Sequence, residues 1–252
     1  MRARYRSRDV DVLLSDLVGR PISYVLAHGE QVVDAEAIHA AMRRRVAGEP
    51  LQYIRGKTEF YGREFRVDDR VLIPRPETEI LVETAVERID RGARVIDIGT
   101  GSGCIAVTLA VERPDLRVIG TDVSFGALAV ASQNAGNRVT LVASDLLAAF
   151  VEDFDWIVSN PPYIAAGDIA TLAPEVRDYE PRAALTPGPA GTETIARILD
   201  QAGRARLILE IGFGQSEAVR DLAAAHHFNV DDLRNDLAGI PRVIVLSRHG
   251  WK

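Results

Sequence analysis

From residue 94 onward the chain alternates short apolar runs with helical stretches, and this alternation constrains the fold more than any other feature. "RVIDIG", "RVIGTD", "VTLVAS", "DWIVSN", "RLILEIG" and "RVIVLSR" read as strands. Between and around them "GCIAVTLAVE", "FGALAVASQNA", "TETIARILDQA" and "SEAVRDLAAAH" read as helices. Strands that are apolar on both faces need cover on both sides, and helical crossovers supply it. The pattern therefore predicts a doubly wound α/β domain around a parallel sheet. "ETEILVETAVERI" opens that domain as an amphipathic helix just after Pro74 and Pro76. Upstream, "DVDVLLSDLVG" and "DAEAIHAAMRRRVAGEP" carry helical periodicity, with stops at Gly19 and at Gly48 and Pro50. "TEFYGREFRVDDRVLIP" presents two alternating segments on either side of Asp68-Asp69, the pattern of a β-hairpin. The expected organisation is a helical N-terminal domain over residues 1–56, a hairpin linker over 57–74 and the α/β domain over 75–252.

Charge narrows the partners. Acidic residues number 36 against 30 basic ones, a net charge of −6. Phosphate contacts dominate nucleic-acid affinity and demand a basic excess, so no stable nucleic-acid binding is expected. "MRARYRSR" at the start holds four arginines in eight residues and reads as a solvated tail. No apolar run approaches the ~18 residues of a membrane span. One cysteine, Cys104, excludes an internal disulfide and a cysteine-based metal cluster, and it reads as a small packed residue. Trp156 reads as core, and His226-His227 as a solvated helix end. The expectation is a monomeric cytoplasmic protein with no metal site.

"RVIDIGTGSGCIA" places Gly99, Gly101 and Gly103 where a buried strand turns into a helix. Glycines there let the backbone turn tightly and approach a ligand, and the helix start favours an anionic group. Gly101, Gly103 and Ala106 also satisfy a dinucleotide fingerprint, and Asp122 at the next strand end suits ribose hydroxyls in either case. Asp97, inside the apolar strand end, is placed to orient the loop or a ligand ammonium. S-adenosylmethionine offers a carboxylate, an ammonium and a ribose, which suit the glycine backbone, Asp97 and Asp122 in turn.

"IVSNPPYI" brings Asn160 to the carboxyl end of another buried strand. Proline fixes φ, lacks an N–H and holds the preceding residue extended. Asn160 and Pro161 are therefore rigid, and they present two acceptors, the Asn160 side-chain oxygen and the Pro161 carbonyl. Pro162 stiffens the turn and Tyr163 can add a flat surface. Two fixed acceptors suit a planar –NH2 whose nitrogen must be aimed at a methyl donor.

In these motifs the chain resembles the protein-glutamine methyltransferases of the PrmC/HemK type. The resemblance rests on "NPPYI", "DIGTGSG", "VLIPRPETEILVE", "EPLQYIRGKTEFYGREFRV", "EPRAAL", "LILEIG" and "DLAGIPRV", and covers residues 49 to 252. It implies a seven-stranded Rossmann-like domain that uses S-adenosylmethionine and releases S-adenosylhomocysteine. The implied substrate is the glutamine of the Gly-Gly-Gln loop in class I peptide-chain release factors, gripped in part by the helical domain. By position, Asp97, Gly99, Thr100, Gly101, Ser102, Gly103, Asp122, Asp145, Leu146 and Asn160 would serve the cofactor. Asn160, Pro161, Pro162 and Tyr163 would hold the amide, and Arg75, Glu77 and Glu79 would line the site at the domain junction.

Three other functions share parts of this pattern. Methylation of an adenine amine would use the same "NPPY" but needs a basic strand-binding surface. A ribosomal-protein glutamine would use the same active site. A non-catalytic dinucleotide module would bind NAD and be indifferent to Asn160.

Overall fold

The computed structural model describes residues 8–29, 34–151 and 153–248. Apart from Arg8, the arginine-rich start lies outside the described residues. Four helices come first: α1 (Arg8–Val18), α2 (Ile22–Ala27), α3 (Ala35–Val46) and α4 (Leu51–Arg55). Gly19 ends α1 in the left-handed region at φ +65°. Asp34 caps α3 by accepting from the Glu36 and Ala37 amides at 2.9 and 3.1 Å. Val10, Leu13, Leu14, Val25, Ile38 and Met42 give these helices a small core of their own.

The hairpin is shorter than the sequence pattern suggests and turns elsewhere. Strands β1 (Lys57–Phe60) and β2 (Arg63–Arg66) pair antiparallel around Tyr61-Gly62, not across Asp68-Asp69. Tyr61 at φ +51° and Gly62 at φ +68° provide the two left-handed residues of a tight two-residue turn. Asp68 instead turns a loop, where its carboxylate takes the Arg70 amide and side chain. The alternation of residues 67–73 has another cause. Val67, Val71 and Ile73 are buried in a crevice beside Tyr53, Ala127 and Val130.

Helix α5 (Thr78–Arg88) then leads into the sheet. Its strands are β3 (Arg94–Ile98), β4 (Arg117–Asp122), β5 (Thr140–Ala143), β6 (Trp156–Ser159), β7 (Arg206–Glu210), β8 (Phe228–Asn235) and β9 (Pro241–Arg248). Their order is β5-β4-β3-β6-β7-β9-β8. Five strands are parallel, as expected, but β9 runs antiparallel to both β7 and β8. The sequence pattern does not reveal β8. Register shifts at Val230/Asp232 and Arg234/Asn235 break the alternation by which "FNVDDLRN" would be read as a strand.

Helices α6 (Cys104–Glu112) and α7 (Phe125–Ala135) follow β3 and β4. The short α8 (Pro174–Arg177) and α9 (Arg182–Leu185) precede α10 (Glu193–Gln201), and α11 (Ser216–Ala225) follows β7. One face of the sheet is sealed by Leu81, Ile105 and Leu109 against Val95 and Trp156. The other is sealed by Ile195, Leu199 and Val219 against Ile96, Ile157 and Leu207. The strand order reverses between β3 and β6, and open α/β sheets bind ligands outside the carboxyl ends at such a point. No helix among the described residues is long and apolar enough to cross a membrane.

Leu209 on β7 is fully buried where β6, β7 and β9 meet. Leu209→Ala should lower unfolding free energy by about 2–5 kcal/mol, because the rigid sheet cannot close over the cavity. Urea unfolding followed by circular dichroism measures it.

Candidate active site

At the switch point the loop from β3 to α6 is held as a rigid arch. Gly99, Gly101 and Gly103 take φ of +72°, +55° and +81°, conformations that side chains disfavour. The Gly99 and Thr100 amides both donate to the Thr121 carbonyl, at 2.8 and 2.9 Å. Asp97 is wholly buried behind the arch. Its Oδ2 accepts from Thr100 Oγ1 at 2.6 Å and from the Ala106 amide at 3.2 Å, while Oδ1 accepts no hydrogen bond. Burial pushes the Asp97 carboxyl up to about 7, against the pull of those two donors. Asp122 holds the other side, where Oδ2 accepts from the Gly101 amide at 3.0 Å and Oδ1 from the Ser124 amide at 2.8 Å.

The arch faces a cavity of about 390 Å³, within the range of small-ligand sites. Gly99, Gly101, Asp122, Asp145, Leu146, Asn160, Pro161 and Pro162 line it. A Cβ placed on Gly99 would meet no protein atom within 4 Å, so the arch leaves its open side to a ligand. Asp97, Thr100, Ser102 and Gly103 lie behind the lining. The Ser102 carbonyl accepts from Asn134 Nδ2 at 2.8 Å, and Asn134 also pairs with both backbone groups of Arg66. Gly103 admits close approach of α7, because a Cβ there would stand 3.3 Å from that of Ala131. Asp145 is ion-paired with Arg197 at 2.7 Å on the rim. Cys104 is buried and its thiol is pushed up to about 12, an unreactive packing residue.

The Asn160–Tyr163 turn closes the cavity from the β6 side. Ser159 Oγ anchors it by donating to the Ile98 carbonyl at 2.7 Å. Asn160 Nδ2 donates to Thr78 Oγ1 at 3.1 Å, which leaves Oδ1 as the amide atom available to a ligand. Tyr163 does not line this cavity. Its ring lies over Gly212, where a Cβ would approach Cδ2 to 3.0 Å, and its hydroxyl donates to Glu210 Oε1 at 3.3 Å.

The three residues expected at the junction also lie outside this cavity. The Arg75 guanidinium pairs with Glu180, whose side chain is only 1% exposed. Glu79 accepts from the Tyr61 amide at 2.7 Å and ties the hairpin to α5. Glu77 and Glu79 line a separate groove of about 600 Å³ along α5, with Glu83, Glu87 and the β8–β9 turn.

Sequence reasoning missed Thr78, Glu180 and Glu210. Glu210 is 1% exposed, and burial pushes its carboxyl up to about 7 against the hydrogen bond from Tyr163. "LILEIG" contained the signal, an acid at the end of an apolar strand, the same pattern by which Asp97 stands out in "RVIDIG".

A doubly wound seven-stranded sheet with a glycine arch at its switch point is the architecture of the Rossmann-like methyltransferases. The fold is shared with a methyltransferase structure from Pyrococcus furiosus, which superposes with a TM-score of 0.56 at 15% identity, covering 83% of this chain and 97% of that one. Residues 76–176 match the family described as Methyltransferase small domain, and residues 4–56 match the PrmC N-terminal domain. The release factor glutamine methyltransferase of Nitratidesulfovibrio vulgaris is 40% identical over 98% of this chain and 92% of its own length. That of Geobacter sulfurreducens is 44% identical over 82% and 76%. The chain belongs to the release factor glutamine methyltransferase family.

Asp97 and Glu210 give the fold a pH signature. A carboxyl whose pKa is raised by folding contributes stability below its unfolded pKa, near 4, and loses it as pH rises through the folded value near 7. Glu210→Gln removes one of these titrations. Its melting temperature relative to wild type should therefore rise between about pH 5 and pH 8, as thermal melts across that range would record.

Proposed function

We infer that this protein transfers a methyl group from S-adenosylmethionine to the side-chain amide nitrogen of the glutamine in the Gly-Gly-Gln loop of class I peptide-chain release factors. The observation that carries this reading is Asn160, which lines the glycine-arch cavity with its own amide nitrogen held by Thr78. Its Oδ1 and the carbonyl of Pro161 are then two acceptors on a rigid turn. An amide is a poor nucleophile because its lone pair is delocalised. Accepting both of its N–H groups aims the nitrogen and stabilises the positive charge that grows on it. Holding the reactants in line supplies up to roughly 7–11 kcal/mol of the barrier in ideal cases.

The residues present fit the cofactor. Gly99 and Gly101 turn an open backbone toward the cavity, and Asp122 keeps acceptor capacity for hydroxyls beyond its two backbone amides. Leu146 and Asp145 line the far wall. Asp97, wholly buried behind the lining, holds the arch through Thr100 and the Ala106 amide. The cofactor supplies an activated methyl group on a sulfonium, and the chain supplies position and acceptors. Thr100, Ser102 and Gly103 act through the arch.

The helical domain over 1–56 grips the protein substrate, and the hairpin couples it to the methyltransferase domain over 75–252. Glu77 and Glu79, on the groove beside α5, take the peptide flanking the glutamine, while Arg75 acts through Glu180. The reaction takes place in the cytoplasm, on a monomer.

Mass spectrometry of a release factor incubated with this protein and S-adenosylmethionine should find one added methyl group on the Gly-Gly-Gln peptide. Asn160→Ala should change cofactor affinity only modestly and lose at least about tenfold in rate, since an orphaned buried N–H costs about 1–3 kcal/mol. Turnover near wild type in that variant would overturn the two-acceptor account. Absence of any methylated peptide would overturn the substrate.

A further inference from the structure

Three side chains hold the backbone or amide of the turn that carries Asn160. Ser159 Oγ fixes its start on the Ile98 carbonyl, and Thr78 Oγ1 takes Asn160 Nδ2. The third is Gln215, which stands just before α11. Its Nε2 donates to the Tyr163 carbonyl at 2.8 Å and to the Gly191 carbonyl at 3.2 Å, while its Oε1 accepts from the Gly212 amide at 2.8 Å.

We propose that Gln215 is a positioning residue for methyl transfer, which ties the end of the Asn160–Tyr163 turn to the 185–191 segment and so fixes where the two amide acceptors stand. The proposal rests on the reading above for what those acceptors hold, but not for how the turn is held.

The chemistry of the clasp admits one kind of side chain. Two of its partners are carbonyls, which only accept, and the third is an N–H, which only donates. A primary amide satisfies all three with its two hydrogens and its oxygen. An ionised carboxylate has no hydrogen to give, and lysine or arginine has no acceptor. Glycine at two of the partner positions makes the approach feasible. A Cβ on Gly191 would stand 2.5 Å from the Tyr163 carbonyl oxygen and 2.9 Å from Gln215 Nε2. One on Gly212 would stand 2.8 Å from Gln215 Oε1.

Beyond Tyr163 the chain continues along the same segment. The Ile164 amide donates to the Leu185 carbonyl and the Ala166 amide to the Gly188 carbonyl, both at 2.9 Å. Thr186 and Pro187, between those two contacts, line the cavity together with Asn160, Pro161 and Pro162. Gln215 therefore clasps two stretches of chain that both reach the cavity, and it lies outside the lining itself. Pro161 and Pro162 have no N–H by which the turn could be held from within. Its position is set from its ends, and Gln215 holds one of them. Freeing that end lets Asn160 Oδ1 and the Pro161 carbonyl move relative to the methyl donor. A misplacement of about 1 Å is enough to cost about a hundredfold in rate.

The test compares Gln215→Leu and Gln215→Glu with wild type, reading kcat on a release factor between about pH 5 and pH 8 and cofactor affinity by calorimetry. Gln215→Leu removes all three bonds at similar volume. Its kcat should fall about tenfold to a hundredfold at every pH, with cofactor affinity little changed. Gln215→Glu is the conservative variant. Ionised, it sets a carboxylate against two carbonyls. Protonated, it regains one donor while its other oxygen still accepts from Gly212. Facing acceptors, the introduced carboxyl titrates above its ordinary value of about 4.3. Its kcat relative to wild type should therefore fall as pH rises, from partial rescue at the acid end to the level of Gln215→Leu. The ionisable groups around the clasp are Tyr163, Glu210 and Arg242 on the side of the turn and Glu193 at the start of α10. All four are present in wild type, so the ratio isolates the introduced carboxyl.

Wild-type kcat in Gln215→Leu would overturn the proposal, as would a Gln215→Glu ratio that does not change with pH. If Gln215→Leu does not fold, Gln215→Glu, which keeps the shape and the Gly212 bond, decides by the same criteria. The Asn160 side-chain 1H–15N resonances provide a readout free of substrate. They should move from their wild-type positions in Gln215→Leu, and in Gln215→Glu they should return toward those positions as pH falls. Resonances that stay in place in both variants would overturn the clasp, even if the release factor proves not to be the substrate.

Discussion

A carboxylate buried without a countercharge is the constraint on which the rest of this site depends. Asp97 ends β3 inside the sheet, held by one hydroxyl and one backbone amide. Burying such a group is costly, and the cost is tolerable only while those donors stay in place. The arch from Gly99 to Gly103 is therefore tied to Asp97 from behind, to Asp122 from the side and to the Thr121 carbonyl beneath. Space in the arch is tight. A Cβ at Gly120 on β4 would come within 2.9 Å of Thr100 Oγ1, the hydroxyl that holds Asp97. Three backbone conformations that side chains disfavour are thus held by a buried polar framework before any ligand arrives.

The same device occurs twice. Asp97-Ile98-Gly99 and Glu210-Ile211-Gly212 both put an acid, then an isoleucine, then a glycine at the carboxyl end of a buried strand. The two strands flank β6, so the Asn160–Pro162 turn emerges between two buried carboxyls. Each acid keeps one oxygen without a partner, and each carboxyl is pushed toward neutrality by burial. They differ in what they hold. Asp97 grips the glycine arch through Thr100, and Glu210 grips the turn through the Tyr163 hydroxyl.

The elements most legible in the sequence were those whose burial follows a simple period. Helix α7 spans "FGALAVASQNA" residue for residue, and the parallel strands appear as unbroken apolar runs. Legibility failed where tertiary contacts set the pattern. Val67, Val71 and Ile73 alternate like a strand because they fill a crevice, and β8 fails to alternate because bulges shift its register. In the site, backbone-shaping residues such as Gly99, Gly101 and Pro161 were visible because glycine and proline announce their geometry. Glu180 was not, since its role depends on Arg75, 105 residues away in sequence. Arg75 itself looked like a cavity residue, but only the fold shows that its charge is already engaged.

That pairing also explains how the helical domain and the cavity share one framework. Residues 174–187 run between them. At one end Arg45 on α3 pairs with Glu175 at 2.9 Å, and the Tyr179 hydroxyl donates to the Ala47 carbonyl at 2.8 Å. At the other, Pro181, Ala183, Ala184 and Pro187 form a wall of the cavity. Glu180 stands between the two, buried and fastened to Arg75 and to the Ile73 amide. A buried carboxylate of this kind is strongly destabilised if its partner is removed, so the segment cannot easily leave the loop before α5. The helical domain is therefore joined to the methyltransferase domain through the wall of the site, in addition to the chain connection at the hairpin. Residues 174–187 thus connect α3 to the wall of the cavity.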